Sequence, residues 1–244
     1  MARSRLDLLL VSRGLVQSRA RAADLVARGA VLVAGETARK AGQMIDDDVA
    51  VAIDEAANAY VARSGAKLSA ALDHFGFVAD GRIGLDIGAS TGGFTEVLLE
   101  HGATRVYAVE VGRDQLHTRL RGDPRIVSLE ETDARHLTTS IVPDRIDAIV
   151  ADVSFISLTQ ALPAPLALAG EGAWLVALVK PQFEAGREAL GKRGVVKNEA
   201  ARAAAVALIA GWLGQRGWRV LGDIVSPLPG KEGNIEHLIG AILE

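Results

Sequence analysis

The chain has 244 residues, 49% of them hydrophobic, with a formal net charge of −3. That length holds one large domain or a small one beside a medium one, and that apolar content excludes a disordered chain. Cysteine is absent, which excludes disulfides, thiolate metal sites and cysteine nucleophiles and suits the cytoplasm as the expected compartment.

The charge is uneven along the chain. Residues 1 to 45 hold eight basic side chains (Arg3, Arg5, Arg13, Arg19, Arg21, Arg28, Arg39, Lys40) against three acidic ones (Asp7, Asp24, Glu36), so the remainder is acidic. A basic module on an acidic body is the layout of an enzyme with a polyanion-docking arm. Residues 4 to 28 read as two helices. Leu6, Leu9, Leu10 and Leu15 cluster apolar surface, Gly14 ends the first helix, Ser18 caps the second and Gly29 closes it. The run Leu8–Val11 is too short for a signal h-region. Ala30 to Val33 and Val49 to Ile53 read as short strands, with a turn at 34–36. The arginines at 13, 19, 21 and 28 can share one outer face. The pattern Arg-Leu-Asp, Gly-Leu, Ser-Arg, Leu-Val, Gly-x-Val-x-Val-x-Gly resembles the S4-like RNA-binding domain over residues 3 to 54. That resemblance implies phosphate contacts, for which Arg5, Arg13, Arg19, Arg21 and Arg28 are the candidates. No aromatic residue precedes Tyr60, so base stacking is not this module's main tool.

Beyond a polar, alanine-rich linker, strands are expected near 83–87, 104–109, 125–128, 146–151, 173–179, 218–225 and 235–242, with helices between, the longest at 198–215. Such alternation gives a mostly parallel sheet covered on both faces. Expected boundaries are 1–58 for the RNA-binding domain, 59–66 for the linker and 67–244 for the catalytic domain. Ala161 to Val179 is apolar but contains Pro163, Pro165, Gly170, Glu171 and Gly172. It reads as helix, turn and buried strand rather than a membrane span.

The stretch Ile83 to Thr95 joins a strand, a glycine-rich turn and a helix N-terminus, where an acceptor-rich ligand is expected. The turn, with Gly88, Ser90, Thr91, Gly92, Gly93 and Phe94, lacks the G-x-G-x-x-G spacing of a dinucleotide site. Asp86 just before it would repel pyrophosphate but pair with a cationic ligand. Glu110, twenty-two positions after Gly88, suits ribose hydroxyls. Asp133 could reach an adenine amino group, and Asp152 stands beside the expected methyl position. S-adenosyl-L-methionine, with a sulfonium, an ammonium and a ribose, fits this set.

Leu178-Val-Lys180-Pro-Gln-Phe-Glu184 ends an apolar strand with a lysine over the same pocket, and Glu236 starts the last strand. Such a lysine can take a proton from a hydroxyl or stabilise the forming alkoxide. Lys67, Asp152, Lys180 and Glu236 resemble the lysine–aspartate–lysine–glutamate tetrad of FtsJ-like ribose 2′-O-methyltransferases. Ala151-Asp-Val-Ser-Phe-Ile-Ser with Leu-Val-Lys-Pro-Gln-Phe-Glu is similar, more narrowly, to the TlyA family, which also carries an S4-like domain. The resemblance implies a Rossmann-like class I S-adenosylmethionine-dependent methyltransferase fold, doubly wound around a mostly parallel seven-stranded sheet, behind a small α+β S4-like domain. It implies methylation of a cytidine 2′-hydroxyl in 23S and, in longer members, also 16S ribosomal RNA within ribosomal subunits. The end of this chain soon after its last strand favours the 23S-only expectation. Lys180 would deprotonate or polarise the hydroxyl, Asp152 and Glu236 would orient the lysines, and Lys67 would position hydroxyl and phosphate. The chain departs from the family's Ser-Arg-Gly-x-x-Lys-Leu, reading Arg63-Ser64-Gly65-Ala66-Lys67-Leu68, and has Asp133 where asparagine is common.

The five histidines show no metal-ligand spacing, so no metal is expected. The segment Gly186 to Lys197, with Arg187, Lys192, Arg193 and Lys197, reads as a mobile basic loop over the RNA or an ordinary solvated one. Two rival readings are a non-catalytic RNA-binding assembly factor, against which the intact tetrad argues, and a membrane-active haemolysin, a label the family has carried, which no span or strongly amphipathic cationic helix supports.

Overall fold

A computed structural model of the chain describes residues 3–16, 18–27, 29–54, 60–191, 194–230 and 233–244, with backbone alone at Ala20 and Arg187. Arg28, Lys192 and Arg193 lie outside the described residues. The chain divides into two compact units, Met1–Ala66 and Lys67–Glu244.

In the first unit, β1 (Arg3–Arg5) runs straight into a helix, Leu6–Ser12. Gly14, at φ 69°, stops that helix, because a left-handed residue there costs glycine little. Ser18 Oγ accepts from the Arg21 N–H (3.2 Å) at the head of the second helix, Arg19–Ala27. β2 (Val31–Val33) pairs with β3 (Glu36–Thr37) and β5 (Val51–Ile53). Ala34 and Gly35 both have positive φ (52° and 82°), as a two-residue hairpin turn matched to strand twist requires. β4 (Met44–Asp46) pairs antiparallel with β1. Leu6, Leu9, Leu10, Ala22, Leu25 and Val26 pack with Val31 and Ile45 into a small core. The β1–β4 pair was not visible in the sequence pattern, because Arg-Ser-Arg at a sheet edge carries no apolar alternation.

The helix Ser64–Phe75, which belongs to the second unit from Lys67 onward, leads into β6 (Ile83–Ile87), and six more strands follow. These are β7 (Arg105–Val109), β8 (Ile126–Leu129), β9 (Ile146–Ala151), β10 (Ala169–Val179), β11 (Trp218–Val225) and β12 (His237–Leu243). Their order across the sheet is β11-β12-β10-β9-β6-β7-β8. β12 is antiparallel to both neighbours, and the pairs from β10 to β8 are parallel. This is the mostly parallel, doubly wound sheet expected from the alternation of elements, with the seven strands that the family resemblance implied. β9 and β10 are buried along most of their length, as strands covered on both faces must be. β10 begins four residues earlier than its apolar run, with a register irregularity between Ala169 and Trp174. Two short helices, Leu158–Ala161 and Pro163–Leu166, precede it. No helix among the described residues is long and apolar enough to cross a membrane.

β6 and β9 are neighbours, and the chain departs from them in opposite directions, β6 toward β7 and β9 toward β10. That switch point leaves a crevice beyond their carboxyl ends, where ligands of such sheets bind.

Candidate active site

The glycine-rich turn is tied into the sheet edge by backbone bonds. Gly88 and Ala89 both donate to the Val109 carbonyl (2.9 and 3.0 Å), and Asp152 donates to Ile87 (2.9 Å). A Cβ on Gly88 would lie 2.6 Å from the Asp152 carbonyl oxygen, and its φ is +82°. Only glycine lets the two strand ends approach this closely. Ser90 is also left-handed (φ 49°). Its N–H donates to Glu110 Oε2 (2.9 Å), and Gly112 donates to Oε1 (2.8 Å). Glu110 therefore sits across the turn, half-buried, with its carboxylate at the rim where ribose hydroxyls are expected. Gly92 (φ 94°) caps the helix Gly93–Glu100, whose first residues are buried. A Cβ on Gly92 would meet Leu120 at 2.4 Å. The Phe94 side chain lies in the core, so at this position only backbone can face a ligand. Thr91 is half-buried, and its carbonyl accepts from His117.

The four strand-end carboxylates differ in setting. Asp86 is wholly buried. Its Oδ2 accepts from Thr95 Oγ1 (2.7 Å), while Oδ1 has no partner. Burial pushes its carboxyl up to about 7, and the nearby charges of Asp152 and Glu110 add to the rise against the opposing Thr95 hydrogen bonds. Asp133 forms a fork with Arg135 (Nη2 to Oδ2, 2.6 Å) and accepts from the Arg135 N–H. That pairing holds its carboxyl down at about 2. The unpartnered Oδ1 of Asp86, the close approach at Gly88 and the Glu110 rim together fit a ligand with a positive centre and a hydroxyl-bearing ring.

Two lysine–carboxylate pairs meet at the next part of the same edge. Val179 of β10 registers with His237 of β12, so Lys180 and Glu236 are the adjoining pair. Lys180 Nζ lies 2.6 Å from Asp152 Oδ1 and donates to Ser154 Oγ (2.8 Å). Because Asp152 Oδ1 makes no aligned hydrogen bond, the first contact is an ion pair and the second is the directed bond. Lys67 Nζ reaches Glu236 Oε2 at 2.5 Å, with both side chains about 95% buried. Lys67, expected to position hydroxyl and phosphate, is thus enclosed and committed to Glu236. Gly230 makes room for that carboxylate, since a Cβ there would come within 2.5 Å of Glu236 Oε1.

The family comparisons agree with this geometry. Residues 60–242 match the FtsJ-like methyltransferase model, and residues 4–51 match the S4 domain. The 16S/23S rRNA (cytidine-2′-O)-methyltransferase TlyA of Mycobacterium tuberculosis is 45% identical over 97% of this chain and 89% of its own length. The chain belongs to the FtsJ-like methyltransferases, in the S4-bearing TlyA family. Hemolysin A of Brachyspira hyodysenteriae is 38% identical, over 98% of this chain and all of its own length. A solved Streptococcus thermophilus protein described as a candidate hemolysin superposes with TM-score 0.78 at 39% identity, covering 100% of this chain and 89% of that one.

Several residues of this TlyA-family site went unassigned in the sequence. Ser154 is the hydrogen-bond partner of Lys180. Glu184 accepts from Ser157 Oγ (2.6 Å) and the Leu158 N–H (2.8 Å), so the Lys-Pro-Gln-Phe-Glu turn clamps the loop after β9. Burial raises the Glu184 carboxyl, and those two hydrogen bonds oppose the rise. Phe155, between Asp152 and that clamp, is 92% exposed with φ +66°, and its ring centroid is 5.3 Å from that of Phe183. A phenylalanine held both in solvent and in a left-handed backbone is strained and unburied, the signature of a residue kept for contact with something else. The motifs Asp-Val-Ser-Phe-Ile-Ser and Lys-Pro-Gln-Phe-Glu were the available signal. Within the 186–197 segment, Gly194 and Val196 are tied to one side chain. Buried Asn234 accepts from the Val196 N–H (2.9 Å) and donates to the Gly194 carbonyl (3.2 Å).

Of the arginines expected on one outer face of the S4 domain, Arg28 lies outside the described residues, and Arg13, Arg19 and Arg21 have partners within the domain. Arg13 donates to the carbonyls of Val49 and Asp47 (2.7 and 2.6 Å), bracing that turn. Arg21 pairs with Asp24 (2.7 Å). Arg5 and Arg19 converge on Asp7 instead. No group of three or more histidine or carboxylate side chains suited to a metal occurs among the described residues.

Proposed function

We propose that this chain methylates the ribose 2′-hydroxyl of a cytidine in ribosomal RNA, within ribosomal subunits, with S-adenosylmethionine as donor. The observation that carries the reading is the Lys180–Asp152 pair, half open, at the switch point beside the glycine-rich turn. S-adenosylmethionine, when bound, supplies an electrophilic methyl on a sulfonium. Gly88, the Ser90–Gly93 turn and Glu110 would hold it, with Asp133 toward the adenine. Lys180 then meets the ribose hydroxyl, and the proton lost as the O–C bond forms enters the Lys180–Asp152–Ser154 network. Glu236, fixed by Lys67, backs this pair from β12. Holding nucleophile and methyl in line supplies much of the acceleration. Phe155 offers a stacking surface for the target base, and the S4 domain supplies phosphate contacts, in keeping with the names of the relatives. Whether 23S alone or both ribosomal RNAs serve is read from the mapped products. A ribosomal substrate goes with a cytoplasmic setting.

The test is transfer of labelled methyl from S-adenosylmethionine to undermethylated large and small ribosomal subunits. Wild type should label a cytidine 2′-oxygen, and Lys180→Ala should lose the transfer. No label with wild type, or undiminished label with Lys180→Ala, defeats the reading.

A further inference from the structure

We propose that Asp7 is the positioning residue of an RNA-phosphate clamp formed by Arg5 and Arg19. This rests on the reading that the chain binds ribosomal RNA. Asp7 is only 5% exposed, whereas Arg5 and Arg19 are 46% and 58% exposed. Asp7 Oδ1 accepts from Arg5 Nε (3.0 Å) and the Leu8 N–H (3.0 Å). Its Oδ2 accepts from Arg5 Nη2 (2.9 Å), Arg19 Nη2 (3.0 Å) and Arg19 Nε (3.2 Å). The arginines hold its carboxyl well below the usual carboxylate range, against the burial that opposes them.

The two guanidiniums come from different elements, Arg5 from the end of β1 and Arg19 from the start of the second helix. Because one oxygen holds both Nη2 atoms, those nitrogens stand within about 6 Å of each other. Each guanidinium has five N–H donors and spends two on Asp7, which leaves three apiece for an outside acceptor. Forked donors of this kind match phosphate oxygens, and fixing them beforehand removes the ordering cost of two long side chains. Gly42 adds to the fixing. A Cβ there would lie 3.0 Å from Arg5 Nη2, so the guanidinium rests against the chain at this glycine. Arg13 and Arg21 are turned to other partners.

Simple charge counting gives the opposite expectation for Asp7→Asn. Removing a negative charge from a basic surface should tighten binding to a polyanion. The clamp requires that it weaken binding. The experiment measures affinity of the full chain for large ribosomal subunits lacking the modification, across a range of salt. Wild type is compared with Asp7→Asn, Arg19→Gln and the double variant. Asp7→Asn should bind about five-fold more weakly or worse, with a shallower salt slope, and should cost little more once Arg19→Gln is present. Affinity for S-adenosylhomocysteine should be unchanged in all of them, which a general loss of structure would not leave intact. Gly42→Ala keeps every charge and crowds only the Arg5 fork, so it decides the case if Asp7→Asn unfolds the first unit. Weaker binding by Gly42→Ala then supports the clamp, and unchanged binding overturns it. Equal or tighter binding by folded Asp7→Asn also overturns it while leaving the rRNA reading intact. Wild type that binds no ribosomal RNA overturns both.

Discussion

Replacing Lys67 by methionine tests the buried pair directly. Methionine keeps most of the side-chain length and removes the charge, leaving the Glu236 carboxylate enclosed at 3% exposure. Removing one partner of a buried ion pair costs about 3–5 kcal/mol, chiefly because the remaining charge is left without compensation. For a unit of this size, each kcal/mol moves the midpoint by about 2–4 °C. Lys67→Met should therefore melt roughly 6–20 °C below wild type. Replacing both members, Lys67→Met with Glu236→Leu, removes the stranded charge and should recover most of the loss, as buried pairs exchanged for apolar residues often do. The three tryptophans, Trp174, Trp212 and Trp218, all lie in the second unit. Thermal or urea unfolding of the full chain followed by tryptophan fluorescence thus reports the right transition. A single variant within about 1 kcal/mol of wild type, or a double variant no better than the worse single, would refute the argument from desolvation.

Three further outcomes follow from the geometry. Phe155→Ala should leave the unfolding midpoint unchanged, since the ring is in solvent, yet lower single-turnover methylation of RNA by about 10–100-fold, the worth of one stacked base; equal rates would remove Phe155 from substrate contact. Gly230→Ala should reduce methylation by displacing the Glu236 carboxylate, checked by a rate loss that Gly230→Ser also shows. Asp86, with its carboxyl raised to about 7 in the fold, binds its proton more tightly folded than unfolded. Its contribution to stability is full below about pH 4 and is lost as pH rises to about 7, on the order of 4 kcal/mol. Asp86→Asn should gain on wild type across that window and no further above it, and parallel urea midpoints from pH 5 to 8 would contradict this.

The sheet was legible because its strands are apolar runs of ordinary length separated by glycines and polar turns, and burial on both faces erases any ambiguity of pattern. Asp152 and Lys180 were legible because each ends such a run. The depth of Lys67 was not. A lysine in the first turn of a helix is ordinarily solvated, and its partner Glu236 is 169 positions away. Nothing local in the chain specifies that contact, which the packing of the helix Ser64–Phe75 against β12 creates. The partners of the S4 arginines were hidden for a related reason. Helical spacing assigns a face, but Asp7 and the Asp47–Val49 carbonyls choose where each guanidinium goes. Ser154, Phe155 and Glu184 lay inside recognisable motifs, yet their separate roles needed coordinates.

The two pairs at this edge have the same chemistry and opposite exposure, and the difference assigns their work. Lys180 and Asp152 are 11% and 20% exposed, against 5% and 3% for Lys67 and Glu236. Only the first pair can trade contacts with a hydroxyl without leaving a buried charge uncompensated. The second pair has a different consequence. Within the two pairs, two positive and two negative groups sum to zero, so the pairs themselves add no surplus negative charge to the Glu110 carboxylate at the rim. Surplus attraction for the cationic donor would stabilise the ground state, whose charge disappears as the methyl departs, and would slow the chemical step. Lys67→Met makes the edge one unit more negative. At temperatures where it stays folded, it should bind S-adenosylmethionine more tightly than wild type while turning over more slowly, whereas S-adenosylhomocysteine, whose thioether sulfur is uncharged, should show a smaller gain. Calorimetric binding beside single-turnover rates would separate the two effects, and weaker donor binding by Lys67→Met would refute the charge balance.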